Sequence, residues 1–234
     1  MNSAFYFLNF KYITEKIGLI QLKNIGKKNA LNFKMLQEIH ELVKDLENKD
    51  QKIIIIESLC PKVFSSGHDL DEFYKNLQNS AEENIKIIEM CNETMLSIHK
   101  SNNVFISEIS SQLVTAAGLQ LASTCDLIVS SSDSKFNIPG SKIGLYAATP
   151  AVPLINTLPK KILFEMLFTG KTFTAVEMFK YGLINEIVES NEDNTAEEIK
   201  SKVRKQTLAL CDRLMLSNKN EIKYLKRKIY NYEV

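Results

Sequence analysis

"KIIIIESLCPKVFSSGHDLDEF", residues 52–73, holds the two features that decide the fold. The first is Ile53–Ile56, four β-branched residues in a row. Such a run suits a strand buried on both faces, as inside a parallel sheet. The second is the corner that follows. Ser65, Ser66, Gly67, His68 and Asp69 are small or polar, and a helical stretch starts at Leu70. Small residues let a ligand approach the backbone closely. At a helix start the amides are unpaired and point outward, which favours an anion or developing negative charge.

The same alternation of strand and helix extends both ways. Ile17–Lys23 alternates as a strand. Leu31, Met35, Ile39, Leu42, Val43 and Leu46 have helical spacing, with Asn32 as N-cap. Ser80 and Glu83 have the spacing of a capping box ahead of a helix reaching Lys100. "NVFISEIS" (103–110), "DLIVSS" (126–131), "SKFNI" (134–138) and "LINEIV" (183–188) read as strands, and "LVTAAGLQLASTC" (113–125) as a helix of small residues. Residues 149–170 are helical but broken at Pro153 and Pro159. Thr174 and Glu177 form another capping box, with Gly182 as the C′ residue of that helix. From Asn194 the chain is polar and helical. The fold class is therefore α/β with parallel pairing.

Composition narrows the function. A chain of 234 residues, 44% of them hydrophobic, can bury one sizeable core. A net charge of +1 argues against a generally basic nucleic-acid binder. Cys60, Cys91, Cys125 and Cys211 form no CxxC pair, so neither a structural zinc site nor a disulfide framework is expected, and a reducing compartment fits. No apolar run is long enough for a membrane span. The N-terminal stretch lacks the pattern of a signal or transit peptide.

A second corner, "TAAGLQLASTCD" at 115–126, also joins a strand to a helix. Either corner alone is adequately explained by close packing. Side by side they would offer two N–H donors to one oxygen, an oxyanion hole. Their order, with "GLIQLKNIGKKNALNFKMLQEI" before them and "LFEMLFTGKTFTAVEMFKYGLINEIV" after, resembles the enoyl-CoA hydratase/isomerase (crotonase) family over about residues 12–190. "SSGHDL", "AAGLQL", "TCD", "IPG" and "ATPA" are similar to one subgroup of it, the domain-containing protein 3 type.

The resemblance implies a crotonase (ClpP-like) spiral of ββα units, with an acyl-CoA-binding core at residues 1–190. It implies a C-terminal helical region at 191–234 for closing the cleft and for assembly into a trimer or hexamer, here looking short for a complete lid. It places the oxyanion amides at His68 and Ala117. Lys28, Ala30, Ser66, Gly67, Asp69, Leu70, Gly118, Gln120, Pro139 and Gly140 fall where the family binds its ligand. The CoA thioester is substrate or ligand, and no separate cofactor or metal is implied. The compartment is left between mitochondrial matrix and cytoplasm, and the basic cluster Lys223, Lys226, Arg227 and Lys228 reads as a solvated face.

The pattern breaks at the proton-transfer groups. Hydratases of the family use two glutamates, because one carboxylate must take a proton and the other give one. Here those positions hold Gln120 and Gly140. A carboxamide does not exchange a proton at neutral pH, and glycine has no side chain. Residues 144–152, where isomerases and dehalogenases place an acid, carry none. The strand residue Glu108 is a candidate relocated base, or else pairs with a cation. Three functions stay open: an acyl-CoA binder with weak or no hydratase chemistry; an isomerase, thioesterase or decarboxylase in which Glu108 or a bound water moves the proton; and an oligomeric scaffold.

Overall fold

The computed structural model describes residues 5–145, 148–191 and 193–230. Strands β1 (Leu8–Thr14), β2 (Ile17–Leu22), β3 (Ile53–Ser58), β4 (Val104–Ile109), β6 (Leu127–Ser131) and β9 (Glu186–Val188) form one sheet in the order β1-β2-β3-β4-β6-β9. All neighbours pair in parallel except β1 with β2. Strands β5 (Leu113–Thr115), β7 (Lys135–Asn137) and β8 (Phe173–Thr174) form a second, smaller sheet. Isolated bridges Leu31–His68 and Val63–Leu113 continue that layer through the loops. The chain thus lays a strand in the large sheet, a short one in the small layer, then a helix, and repeats. This is the ββα spiral expected.

Helices α1 (Phe33–Glu47), α2 (Leu70–Asn79), α3 (Ala81–Lys100) and α4 (Ala117–Thr124) lie on one side of the large sheet. Period-2 alternation in β4 sends Phe105 and Ile109 to that side, and Val104 and Ile106 to the other. The far face is covered by α7 (Ala196–Leu214), whose Ile199, Val203 and Leu210 pack on it. α8 (Lys219–Ile229) rests against α3. The remaining helices are α5 (Lys160–Thr169) and α6 (Ala175–Lys180). The Thr174–Glu177 capping box and Gly182, at φ +85°, stand as expected. No helix among the described residues is long and apolar enough to cross a membrane.

Several expectations are corrected. Leu113–Thr115 is a strand, because Ala116 turns the chain at φ 52° before the helix begins. The aromatic N-terminal stretch supplies an edge strand, anchored where the buried Glu38 carboxylate accepts the Tyr6 and Phe7 amides at 3.0 and 2.8 Å. Ser80 does cap α3, through the Glu82 amide, but Glu83 turns outward to Lys86 and closes no box. Lys226 is not on a solvated face. Its ammonium is buried against the Ile98 and Asn103 carbonyls and Asp126, at 3.3, 2.9 and 2.8 Å. Lys52 similarly holds the Leu214 and Ser217 carbonyls, so both C-terminal helices are pinned to the core.

Candidate functional site

The two corners meet backbone to backbone. A Cβ at Gly118 would lie 2.3 Å from the Ser65 carbonyl oxygen, and one at Gly67 would lie 2.7 Å from Ala116 Cβ and 3.0 Å from the Ala117 nitrogen. Gly67 also has φ +85°, which L side chains avoid. Two glycines from segments about fifty residues apart therefore serve one contact.

Hydrogen bonds around the contact leave several donors over, among them the amides of His68, Ala117 and Gly118. The Ser66 amide donates to the Lys28 carbonyl at 3.0 Å, Gly67 to Ser65 Oγ at 3.3 Å, Asp69 to the Leu31 carbonyl at 3.4 Å and Ala116 to the Asn137 carbonyl at 3.0 Å. The amides of His68 and Ala117 have no acceptor among the described residues. Ala117 opens α4, where an unpaired N–H is inherent.

Backbone strain collects here. Lys28, Asn29 and Ala116 are the non-glycine residues with positive φ among those described, and all three support the corners. Such conformations persist where surrounding structure over-determines them, commonly at functional sites. Asn29 is fully buried. Its amide donates to Ser58 Oγ and the Phe64 carbonyl at 2.8 and 2.9 Å, and its own carbonyl accepts from Ser65 Oγ at 2.7 Å. Sequence reasoning missed Asn29; its signal was an asparagine after Lys-Lys, a residue that tolerates the left-handed region.

The other predicted residues surround this contact. Lys28 is exposed, Ala30 is buried and Ser66 is half-buried beside the Lys27–Lys28 turn. Asp69 is committed to the scaffold. Its carboxylate caps α2, accepting the Asp71 and Glu72 amides at 3.1 and 3.4 Å, and lies 3.6 Å from Lys27. Leu70, the first residue of α2, is exposed. The His68 ring leans on Phe73, centroids 5.3 Å apart, with both nitrogens buried and unpartnered. Burial pushes its pKa down, so the ring is neutral.

Gln120, one turn into α4, is 3% exposed, and its Oε1 lies 4.0 Å from the thiol of Cys91 on α3. The loop after β7 passes beside the second corner through Asn137, whose Oδ1 also accepts from Thr115 at 2.5 Å. Pro139 starts a 3-10 turn over Pro139–Ile143. A Cβ at Gly140 would lie 2.3 Å from the Leu145 carbonyl oxygen, and the Leu145 amide donates back to the Gly140 carbonyl at 2.9 Å. The loop closes over the place a side chain would need. Tyr146 and Ala147, in the stretch searched for an isomerase acid, lie outside the described residues.

Glu108 is not at the site. It shares a strand face with Val104 and Ile106, the face under α7, while α4 lies on the other. Arg204 of α7 grips it through Nε–Oε2 at 2.7 Å and Nη2–Oε1 at 2.9 Å. Arg204 also lies 3.2 Å from Glu57, the neighbour of Glu108 across the β3–β4 ladder, and Lys200 lies 3.4 Å from Glu57. The relocated base is thereby excluded by geometry: its carboxylate is spent on an ion pair across the sheet from the corners.

A model of the enoyl-CoA hydratase/isomerase family matches residues 12–232. The mouse (Mus musculus) enoyl-CoA hydratase domain-containing protein 3, mitochondrial, is 39% identical over 170 residues, 72% of this chain. The chain spans 55% of the length of that curated relative. The zebrafish (Danio rerio) protein of the same name is 34% identical over 95% of this chain and 73% of its own length. The crystal structure of the human enoyl Coenzyme A hydratase domain-containing protein 3 is similar with a TM-score of 0.84 at 29% identity, over 96% of this chain and 83% of that one.

Proposed function

The chain belongs to the enoyl-CoA hydratase/isomerase family and has the crotonase fold, and from that premise we propose that it binds an acyl-CoA thioester, with the carbonyl oxygen accepting from the His68 and Ala117 amides. The observation that carries this reading is the contact of the two corners through Gly67 and Gly118, with those two amides free of protein acceptors. Fixed donors aimed at one oxygen stabilise a thioester enolate, and removing one such donor elsewhere costs about 3 kcal/mol. Lys28, exposed at the rim, suits a CoA phosphate. In this proposal Ala30, Ser66, Leu70 and Pro139 border the acyl-CoA ligand.

Polarisation is retained in this reading and proton transfer is not. Gln120 neither takes nor gives a proton. Gly140 offers nothing, and the Leu145 carbonyl occupies its side-chain space. Acid–base groups of this kind are each worth roughly 10²–10⁴-fold. Calorimetric titration is expected to show binding of butyryl-CoA, and crotonyl-CoA hydration is expected at least ~10²-fold below that of ordinary hydratases. No heat with any CoA thioester would overturn the binding, and hydration at an ordinary rate would overturn the loss of chemistry.

Residues 1–190 are the acyl-thioester core in this proposal, and 191–234 the helical region that serves assembly. Homotrimers, alone or paired into hexamers, are the proposed state. Phe164 and Phe168 of α5 support a self-contact, being stacked 5.1 Å apart and 48% and 70% exposed, with Val152 and Ile155 also exposed. Light scattering is expected to give the mass of three or six chains; a monomer at micromolar concentration would count against it. The relatives named above are called mitochondrial, which supports a place in mitochondrial acyl-CoA metabolism.

A further inference from the structure

Strand β1 ends the large sheet, and one row of its backbone groups faces outward. Phe7 and Asn9 face β2, since the Lys23 amide donates to the Phe7 carbonyl at 3.0 Å and Leu8 lies opposite Leu22. Strand residues alternate, so the N–H and C=O groups of Leu8, Phe10 and Tyr12 point away from β2. No other strand pairs with β1 among the described residues. A register shift between Tyr12 and Thr14 ends the regular edge. An open edge of this kind is a template for pairing with another strand, and charge usually blunts it. Here the stretch from Leu8 to Tyr12 carries one charge, Lys11, beside Phe10 and a Tyr12 that is 54% exposed.

The space beside this edge is open on the α1 side. A cavity of about 840 Å³ lies there, lined by Phe5, Phe10, Tyr12 and Leu42 together with Glu41 and Asp45 of α1. Leu8 and Phe10 pack toward α1, so a strand added to the edge would send every second side chain into the cavity. The edge is complementary to itself. In an antiparallel pair with its two-fold axis at Phe10, Leu8 of one protomer lies opposite Tyr12 of its partner, and Phe10 lies opposite Phe10. Leu8, Phe10 and Tyr12 then all sit in hydrogen-bonded pairs. The Phe10 and Tyr12 rings, edge to face at 5.0 Å within one chain, would enter the partner's cavity. Lys11 falls opposite Asn9, so the two lysines do not face each other.

We propose that the β1 edge is a two-fold interface between copies of this chain, joining two large sheets into one through Leu8–Tyr12. An isologous contact of this kind closes on itself and covers the edge on both protomers. It uses none of the α5 residues offered for the trimer. With both contacts the particle holds six chains, and with this one alone it holds two.

Light scattering on the full chain at micromolar concentration is expected to give the mass of six chains or of two. Tyr12→Pro removes an N–H that faces away from β2 and leaves the β1–β2 ladder in place. It is expected to halve that mass. Phe10→Cys tests the register. Residues in a hydrogen-bonded pair have Cα atoms about 5.5 Å apart, within disulfide reach, and the native cysteines are all buried. Mild oxidation is expected to link Phe10→Cys chains in pairs. It should leave Lys11→Cys chains single, because that position meets its mate only on the diagonal, about 7–8 Å away. A mass of one or three chains for the unmodified protein, an unchanged mass for Tyr12→Pro, or equal cross-linking at the two positions overturns the interface. Three chains would keep the trimer and leave the edge to a strand of another protein. The unmodified mass and the cross-link decide the matter even if Tyr12→Pro fails to fold.

Discussion

Gly67→Ala is expected to abolish measurable butyryl-CoA binding and to lower stability by roughly 2–5 kcal/mol. Two costs add. A residue with a Cβ held at φ +85° is strained by about 1–2 kcal/mol. Its methyl would enter a tight contact 2.7 Å from Ala116 Cβ and 3.0 Å from the Ala117 nitrogen, and overpacking typically costs about 1–3 kcal/mol. Relief requires the corners to part, which separates the His68 and Ala117 amides. Gly118→Ala drives them apart from the other side, because its Cβ meets the Ser65 carbonyl oxygen at 2.3 Å and backbone cannot rotate away. Urea unfolding with calorimetry on the refolded variant checks both effects. A Gly67→Ala protein with unchanged stability and affinity would show that the contact does not position the amides.

Arg204→Ala is expected to cost about 3–5 kcal/mol, the range for removing one partner from a buried ion pair. It strands Glu108, 1% exposed, beside Glu57 on the neighbouring strand, which keeps Lys200 as its cation. The deficit should depend on pH with a definite sign. Burial is the largest influence on Glu108 and pushes its pKa up; Glu57 adds to the rise and Arg204 opposes it, the net being upward. The folded chain thus holds this proton more tightly than the unfolded one. Ionising Glu108 as pH rises through its raised value costs stability, and below the ordinary glutamate range that cost is absent. Removing Arg204 raises the value further. The variant should therefore be closest to the unmodified protein near pH 5 and furthest from it at pH 7–8, in urea midpoints at each pH. A deficit that does not vary with pH would mean that Arg204 acts through packing alone.

What the chain reveals without coordinates depends on the range of the interaction. Ile53–Ile56 announce a central strand because burial on both faces is written in consecutive residues. Asp69 announces the cap of α2, and Thr174 with Glu177 that of α6, since capping acts over three residues. The corners were legible as small-residue turns, but their convergence needed the register of two layers. β5 hid inside an apparent helix because alanine at 116 carries no mark of positive φ. Glu108 looked free for catalysis because its partner lies 96 residues away on α7. The strand β1 went unseen because its inward and outward residues are mixed and its anchor, Glu38, is on a helix.

The closure of the loop at Gly140 couples two changes. Placing an acid there is not one substitution, since any side chain meets the Leu145 carbonyl before its carboxylate can be placed. The stretch from Ser141 to Leu145 must open first, giving up the Leu145–Gly140 hydrogen bond. Intermediates carrying only one of these changes would be worse than either end. A chain with this loop packed is thus held by sterics from carrying any side chain at residue 140.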